Sequence, residues 1–261
     1  MLSLDNISVV KRGKHLIDNV SVQLSPGTLT VLMGENGAGK STLLKALSGE
    51  HTPHAGAAAL DGTPLSLWKP QLLGRRMAVL AQESPLGFLF SAREVVLMGR
   101  SPHCHGYPNA HDHAITDAAL AALDVAHLAN RLFPTLSGGE RGRVHLARVL
   151  AQVWESQPNA ARVLLLDEPV AALDIAHQHL ALKVARDFAH RENAIVVAVL
   201  HDLNLAARYA DKVVLMKAGR LYAAGAVDET LIEPILSPCF STQVRRIAHP
   251  ESDRPLLYAI G

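Results

Sequence analysis

The chain has 261 residues, 49% hydrophobic and 19% charged, with 25 Lys and Arg against 24 Asp and Glu, which excludes a disordered chain and an overall basic field for nucleic acid. Cys104 and Cys239 are its only cysteines and no N-terminal apolar segment resembles a signal peptide, so a reducing cytoplasm is expected rather than a disulfide framework. The longest aliphatic stretches, such as Ala194 to Leu200, fall far short of the roughly 18 apolar residues that span a bilayer, so any membrane role comes through partners.

Val20 to Leu24 alternates apolar and polar residues before the turn Ser25-Pro26-Gly27, which predicts half-buried antiparallel sheet. Thr28 to Met33 reads as a buried strand, and a helix is predicted over Lys40 to Leu47. Between them, Gly34-Glu35-Asn36-Gly37-Ala38-Gly39-Lys40-Ser41-Thr42 fits G-x-x-x-x-G-K-[ST]. Its glycines let the backbone turn N–H groups toward an anion, and the helix N-terminus adds partial positive charge. This predicts a nucleotide-phosphate cradle in which Lys40 reaches the β- and γ-phosphates and the Ser41 hydroxyl ligates Mg²⁺. The bland alternative, a Gly-rich turn, calls for neither the strand before nor the helix after.

Gly56 to Leu60 and the turn Asp61-Gly62 suggest a hairpin ahead of a strand over Met77 to Leu80, which Gln82 ends. Residues 83 to 160 show no strong strand signal, and Ala114 to Leu128 reads as helix, so a helical subdomain is expected there. Val163 to Leu166 and Ala194 to Leu200 are continuous apolar runs of the kind that parallel strands bury on both faces, joined by a crossover helix over Ala176 to Arg191. Val213 to Met216 and Leu221 to Ala223 read as a closing hairpin, followed by a short helix beyond Asp228 and a Pro-punctuated tail.

Two further stretches carry chemistry. Asp167-Glu168 ends the Val163 to Leu166 strand, at the edge where open parallel sheets place ligands. Asp167 suits Mg²⁺ and Glu168 suits a general base for the attacking water; capping of the turn before Pro169 is the alternative. Leu136-Ser137-Gly138-Gly139-Glu140 has the S-x-x-E spacing of a capping box, ahead of an apolar stripe at Leu146, Val149, Leu150, Val153 and Trp154. A cap does not call for two glycines, which cost about 1 kcal/mol each within a helix; at a helix start they expose N–H groups to an anion.

Taken in order, Gly34 to Thr42, Gln82, Leu136 to Glu140, Leu164 to Pro169, Ala172-Leu173-Asp174 and His201 resemble an ABC-type ATPase over nearly the whole chain. The resemblance implies an α/β fold of the P-loop NTPase (RecA-like) kind: a parallel-sheet core, an N-terminal antiparallel β subdomain and an inserted α-helical subdomain. The expected division of this single domain is 1–82 and 161–227 for the core with its β subdomain, 83–160 for the helical part and 228–261 for the tail. It also implies ATP and Mg²⁺ as ligands and a head-to-tail homodimer. In that dimer Gly34 to Thr42 of one subunit and Ser137, Gly138, Gly139 and Glu140 of the other enclose each ATP. Gln82 would link Mg²⁺ and water to a membrane partner, His201 would contact the γ-phosphate, and Asp174 would lie at the dimer contact. Two departures stand out: Glu140 replaces the family's usual glutamine, and Lys11-Arg12-Gly13 stands where an aromatic residue usually stacks on adenine.

Leu97 to Pro102, Leu173 to Gln178 and His201 to Asn204 resemble the importer ATPases that serve iron chelates, haem and cobalamin. The residues after Ala151-Gln152 are similar to those of the haemin importers, so the expected function is the ATP-driven motor of haemin import, with ferric siderophore or cobalamin as alternative cargo. The implied partners are two transmembrane permease subunits, a periplasmic substrate-binding protein acting indirectly, and no nucleic acid. The implied place is the cytoplasmic face of the bacterial inner membrane, peripherally bound. A soluble ABC ATPase acting on DNA or ribosomes is the rival class; the stretch from 83 to 135 is too short for the long coiled-coil arm it predicts. The 14 histidines include the pairs His103/His105, His111/His113 and His177/His179, which raise a third reading, a metal or haem carrier. Ordinary surface histidines are favoured, since two helical ligands align at i, i+4 rather than i, i+2.

Overall fold

The structure, a computed structural model, describes residues 1–81, 89–104, 106–156 and 160–260. Strands β1 (Leu2–Lys11) and β2 (Lys14–Leu24) form an antiparallel hairpin that buries Leu2, Leu4, Ile7, Ile17 and Val20. Its two-residue turn, Arg12-Gly13, has positive φ at both positions, the geometry that matches strand twist. Next come β3 (Thr28–Gly34), buried along almost its whole length, and α1 (Lys40–Ser48), which seats Leu43, Leu44 and Leu47 in the core. Strands β4 (Ala55–Leu60) and β5 (Thr63–Pro64) complete a four-stranded sheet in the order β2-β1-β4-β5. A short helix α2 (Pro70–Gly74) then leads into β6 (Met77–Leu80).

A helical layer follows, made of α3 (Ala92–Leu97), α4 (Ala110–Ala122) and α5 (Gly138–Gln152). The chain returns to a sheet through β7 (Val163–Asp167), α6 (Ile175–Arg191), β8 (Ile195–Val199), α7 (Leu203–Tyr209), β9 (Lys212–Lys217) and β10 (Arg220–Ala226). That sheet has the order β10-β9-β3-β8-β7-β6, parallel throughout except for the edge strand β10. Two cores flank it. One joins α3 to α7 to one face, and the other packs α1 and the antiparallel sheet on the opposite face. Each fully buried Leu or Val in them contributes roughly 1.5–3 kcal/mol.

Two expectations need correction. The helix predicted over Ala114 to Leu128 starts earlier, because Asn109 caps it by accepting from His111 and Asp112 N–H, and it ends at Ala122. Beyond that end, Asp124 turns left-handed and Ala126–Leu128 forms a separate 3-10 turn. The six-residue α3, closed by a Ser91/Glu94 capping box, is too short to show a hydrophobic period. The tail holds more than a short helix: α8 (Val227–Thr230), α9 (Glu233–Cys239) and a hairpin of β11 (Gln243–Ile247) and β12 (Leu256–Ile260). Among the described residues no helix is long and apolar enough to cross a membrane.

Candidate nucleotide site

The carboxyl ends of β3, β7 and β8 converge, and the charged residues of the site stand on them. Gly34 and Gly39 hold positive φ, and close packing also bars a side chain there. A Cβ at Gly34 would lie 2.2 Å from the Met216 carbonyl oxygen, and one at Gly39 would lie 2.8 Å from that of Leu16. The loop is thus wedged between β9 and the start of β2. Helix α1 begins on Gly39 with no side-chain cap and no acidic residue in its first turn. Its amino end therefore offers N–H groups and partial positive charge to an anion.

Lys40 is 6% exposed, and its Nζ donates to the carbonyls of Gly34 at 2.9 Å and Glu35 at 3.0 Å. Burial lowers the pKa of this ammonium from its ordinary value, opposed by the nearby carboxylates of Glu168 and Asp167. The Ser41 hydroxyl donates to Asp167 Oδ1 at 3.2 Å. Burial pushes the Asp167 carboxyl above its ordinary value, with the Glu168 charge adding to the rise and the Ser41 bond, Lys45 and Lys40 working against it. Ser41 and Asp167 therefore pair two hard oxygen donors beside a buried cation, a donor set that fits Mg²⁺.

Glu168 sits one residue past β7 in a left-handed conformation, φ 52°, which turns its side chain toward the end of β8. There His201 Nε2 lies 2.7 Å from Glu168 Oε1. Glu168, Val170, Gln178, Val199, His201 and Asp202 share a small cavity of about 160 Å³. Gln178, which no catalytic or binding motif of the chain includes, donates its amide to the carbonyls of Val170 at 3.4 Å and Leu173 at 3.1 Å, holding the turn that follows Glu168. Its only sequence signal was its place in the Leu173 to Gln178 stretch.

Ser137 to Glu140 form a second cluster at the start of α5. Glu140 N–H donates to Ser137 Oγ at 3.2 Å, and Ser137 N–H donates to Glu140 Oε2 at 2.7 Å. The Ser137 backbone bond holds the Glu140 carboxyl below its ordinary value, and the carboxylate folds back on its own cap. A Cβ on Gly139 would meet the Ala172 carbonyl oxygen at 3.1 Å, so this glycine also admits the Ala172-Leu173-Asp174 turn. Asp174 caps α6, accepting from His177 N–H at 2.9 Å, and that bond holds its pKa below the ordinary value. Among the described residues no hydrogen bond or ion pair joins Ser137–Glu140 to Gly34–Thr42, so one chain leaves the two clusters separate. Gln82 lies outside the described residues.

Four members of the histidine pairs each face a partner of their own rather than one another. His103 Nε2 faces the Gln152 carbonyl at 2.7 Å, His111 pairs with Glu155 at 2.8 Å, His177 with Asp174 at 2.8 Å, and His179 with the Tyr209 hydroxyl at 2.8 Å. His105 lies outside the described residues.

The sequence profile of the ABC transporter family matches residues 17–171. A hemin import ATP-binding protein HmuV from Gloeobacter violaceus is 49% identical over 261 residues, covering 100% of this chain and 94% of its own. The protein of that name from Pseudomonas aeruginosa is 47% identical over 259 residues, covering 99% of this chain and 100% of its own. Among solved structures, an inward-facing ABC transporter assigned to the metal-chelate type superposes with a TM-score of 0.82 at 28% identity, covering 100% of this chain and 97% of that one. A dimeric bacterial ABC transporter cassette gives 0.74 at 25% identity, covering 87% and 99%.

Proposed function

The chain belongs to the ABC transporter family as an ATP-hydrolysing subunit, and we propose that it drives the import of haemin. The observation that carries this reading is the 49% identity, end to end, to a hemin import ATP-binding protein.

The phosphate-loop N–H groups and Lys40 would hold the β- and γ-phosphates of ATP, and Ser41 and Asp167, already paired with each other, would hold Mg²⁺. Bound there, the metal supplies neutralisation of the charge that develops on the phosphates. Glu168 accepts a proton from the attacking water while the water oxygen bonds to the γ-phosphorus and the β–γ bridging oxygen departs with ADP. His201 orients that carboxylate and reaches the γ-phosphate. Gln82 connects the site to the permease.

Each ATP is completed by Ser137, Gly138 and Gly139 of a second copy, whose N–H groups face the γ-phosphate while Glu140 stays folded on its cap. Asp174 lies at the contact between the two copies. ATP then stabilises the closed dimer, and hydrolysis removes the contact that held it. Two permease subunits transmit this closure, a periplasmic binding protein delivers cargo indirectly, and the subunit rests on the cytoplasmic face of the inner membrane as a peripheral protein.

The test is reconstitution with the copurified permease in liposomes. Haemin is expected to stimulate ATPase activity above its level with cobalamin or ferric siderophore. Stimulation by a siderophore alone would favour the second reading, a metal-chelate importer, which the 0.82 TM-score to the metal-chelate type transporter supports.

A further inference from the structure

A polar cavity of about 650 Å³ lies between α6, α7 and the loop that joins β11 to β12, within the usual range of roughly 300–1,000 Å³ for small-molecule sites. It adjoins the Glu168–His201 cavity, sharing Gln178 and Asp202 with it, but none of its lining residues belongs to the phosphate loop. Three separate elements bring cations to it: Arg186 from α6, Arg208 from α7, and Arg254 from the loop.

Two carboxylates reach the same space, but one is already engaged. Asp202 Oδ1 caps α7, accepting from Asn204 N–H at 2.7 Å and Leu205 N–H at 2.9 Å. The other, Glu251, makes no ion pair with these cations. Among the described residues no carboxylate lies within ion-pairing distance of Arg186, Arg208 or Arg254. The buried guanidiniums elsewhere differ: Arg76 pairs with Asp61, Arg100 with Asp112, and Arg162 with Glu192. Arg186 and Arg254 are half-buried, and the exposed Arg208 lies 5.9 Å from the centroid of the Tyr209 ring, so the cavity gathers three guanidiniums none of which has a carboxylate partner among the described residues.

The wall of the cavity is anchored. The Asn204 side-chain amide donates to the Leu257 carbonyl at 3.0 Å and accepts from its N–H at 2.8 Å, which fixes β12, and the loop before it, to α7. His249, on the same loop, accepts the Glu251 N–H on Nδ1 at 3.0 Å, so its Nε2 carries the proton as a further donor. Convergent guanidinium forks and imidazole donors suit carboxylate or phosphate oxygens through charge-assisted hydrogen bonds.

We infer that this cavity binds a small organic anion bearing two or more carboxylate or phosphate groups, recognised by Arg186, Arg208 and Arg254. The full chain, saturated with ADP so that the phosphate loop is filled, is titrated calorimetrically with tricarballylate and, separately, with fructose 1,6-bisphosphate. At least one probe is expected to bind saturably at one site per chain, which arm responds telling carboxylate from phosphate chemistry. Arg254→Gln, in a loop without regular structure, and Arg186→Gln are each expected to weaken that binding about tenfold or more. Failure of both probes to saturate below about 10 mM would overturn the inference. So would wild-type affinity in both variants, or displacement of the probe by ADP. Loss of nucleotide-driven dimerisation in Arg254→Gln with probe binding unchanged would assign these cations to a subunit contact and overturn it too.

Discussion

Glu168 Oε1 and His201 Nε2 stand 2.7 Å apart although 33 residues separate them in the chain, because β7 and β8 are neighbours and each ends at the same edge of the sheet. A carboxylate on the edge that carries the phosphate loop, steadied by an imidazole, is placed to take a proton from water. Glu168→Gln keeps the shape but loses the proton acceptor proposed for hydrolysis. ATP binding is expected to persist while hydrolysis falls by roughly 10²-fold or more, with an ATP-bound dimer accumulating. Phosphate release and sedimentation with ATP measure both; near-normal turnover would remove Glu168 from this role.

Lys40→Ala acts at the earlier step. The ammonium that now donates to the Gly34 and Glu35 carbonyls is the one charge-assisted donor inside the loop. Its loss is expected to weaken ATP affinity about tenfold or more, as read by equilibrium binding of a fluorescent ATP analogue. Unchanged affinity would count against the cradle.

Asp167 carries a pH dependence whose sign follows from its burial. A carboxyl whose pKa is raised by folding binds its proton more tightly in the native chain than in the unfolded one. Its ionisation therefore opposes folding above the native pKa, and the penalty fades as pH falls toward the unfolded value. Asp167→Asn is expected to raise the Tm of the nucleotide-free protein at neutral pH by about 2 °C, with the gain shrinking in acid. Mg²⁺-dependent hydrolysis should fall by about 10²-fold at the same time. Calorimetry across pH decides it, and a lower Tm in the variant at pH 7 would refute the burial argument.

Ser137 separates a local role from a shared one. Its hydroxyl caps α5, so Ser137→Ala costs about 1 kcal/mol of stability whatever else it does. In mixed dimers the variant is also expected to depress turnover at the phosphate loop of the wild-type subunit. If ATP turnover in mixtures tracks only the variant's own site, the composite arrangement is wrong.

Asn204 ties the C-terminal hairpin to α7 through both bonds to Leu257. Asn204→Ala is expected to speed amide exchange across residues 256–260 by about tenfold, reflecting the loss of roughly 1 kcal/mol or more of local protection. Unaltered exchange would mean that packing of Val244 and Leu257 alone holds the hairpin.

The phosphate loop, the acidic end of β7 and the cap of α5 were legible in the linear chain because their chemistry needs fixed residue types at fixed spacing. An anion cradle requires glycines where φ is positive and a helix start beyond them, and a parallel strand buried on both faces must be continuously apolar. Element limits were less legible. The start of α4 hinges on the Asn109 side chain and its end on a left-handed Asp124, and β11 and β12 are five-residue strands in a segment rich in Pro and charge. What only the tertiary structure decided is which distant groups meet: Glu168 with His201, Gly139 with the Ala172 carbonyl, Asn204 with Leu257, and the arginines of α6, α7 and the tail around one cavity. Sequence spacing encodes the few ångströms along a strand or helix turn. Contacts across the sheet arise from strand order and the packing of whole faces, so no local pattern contains them.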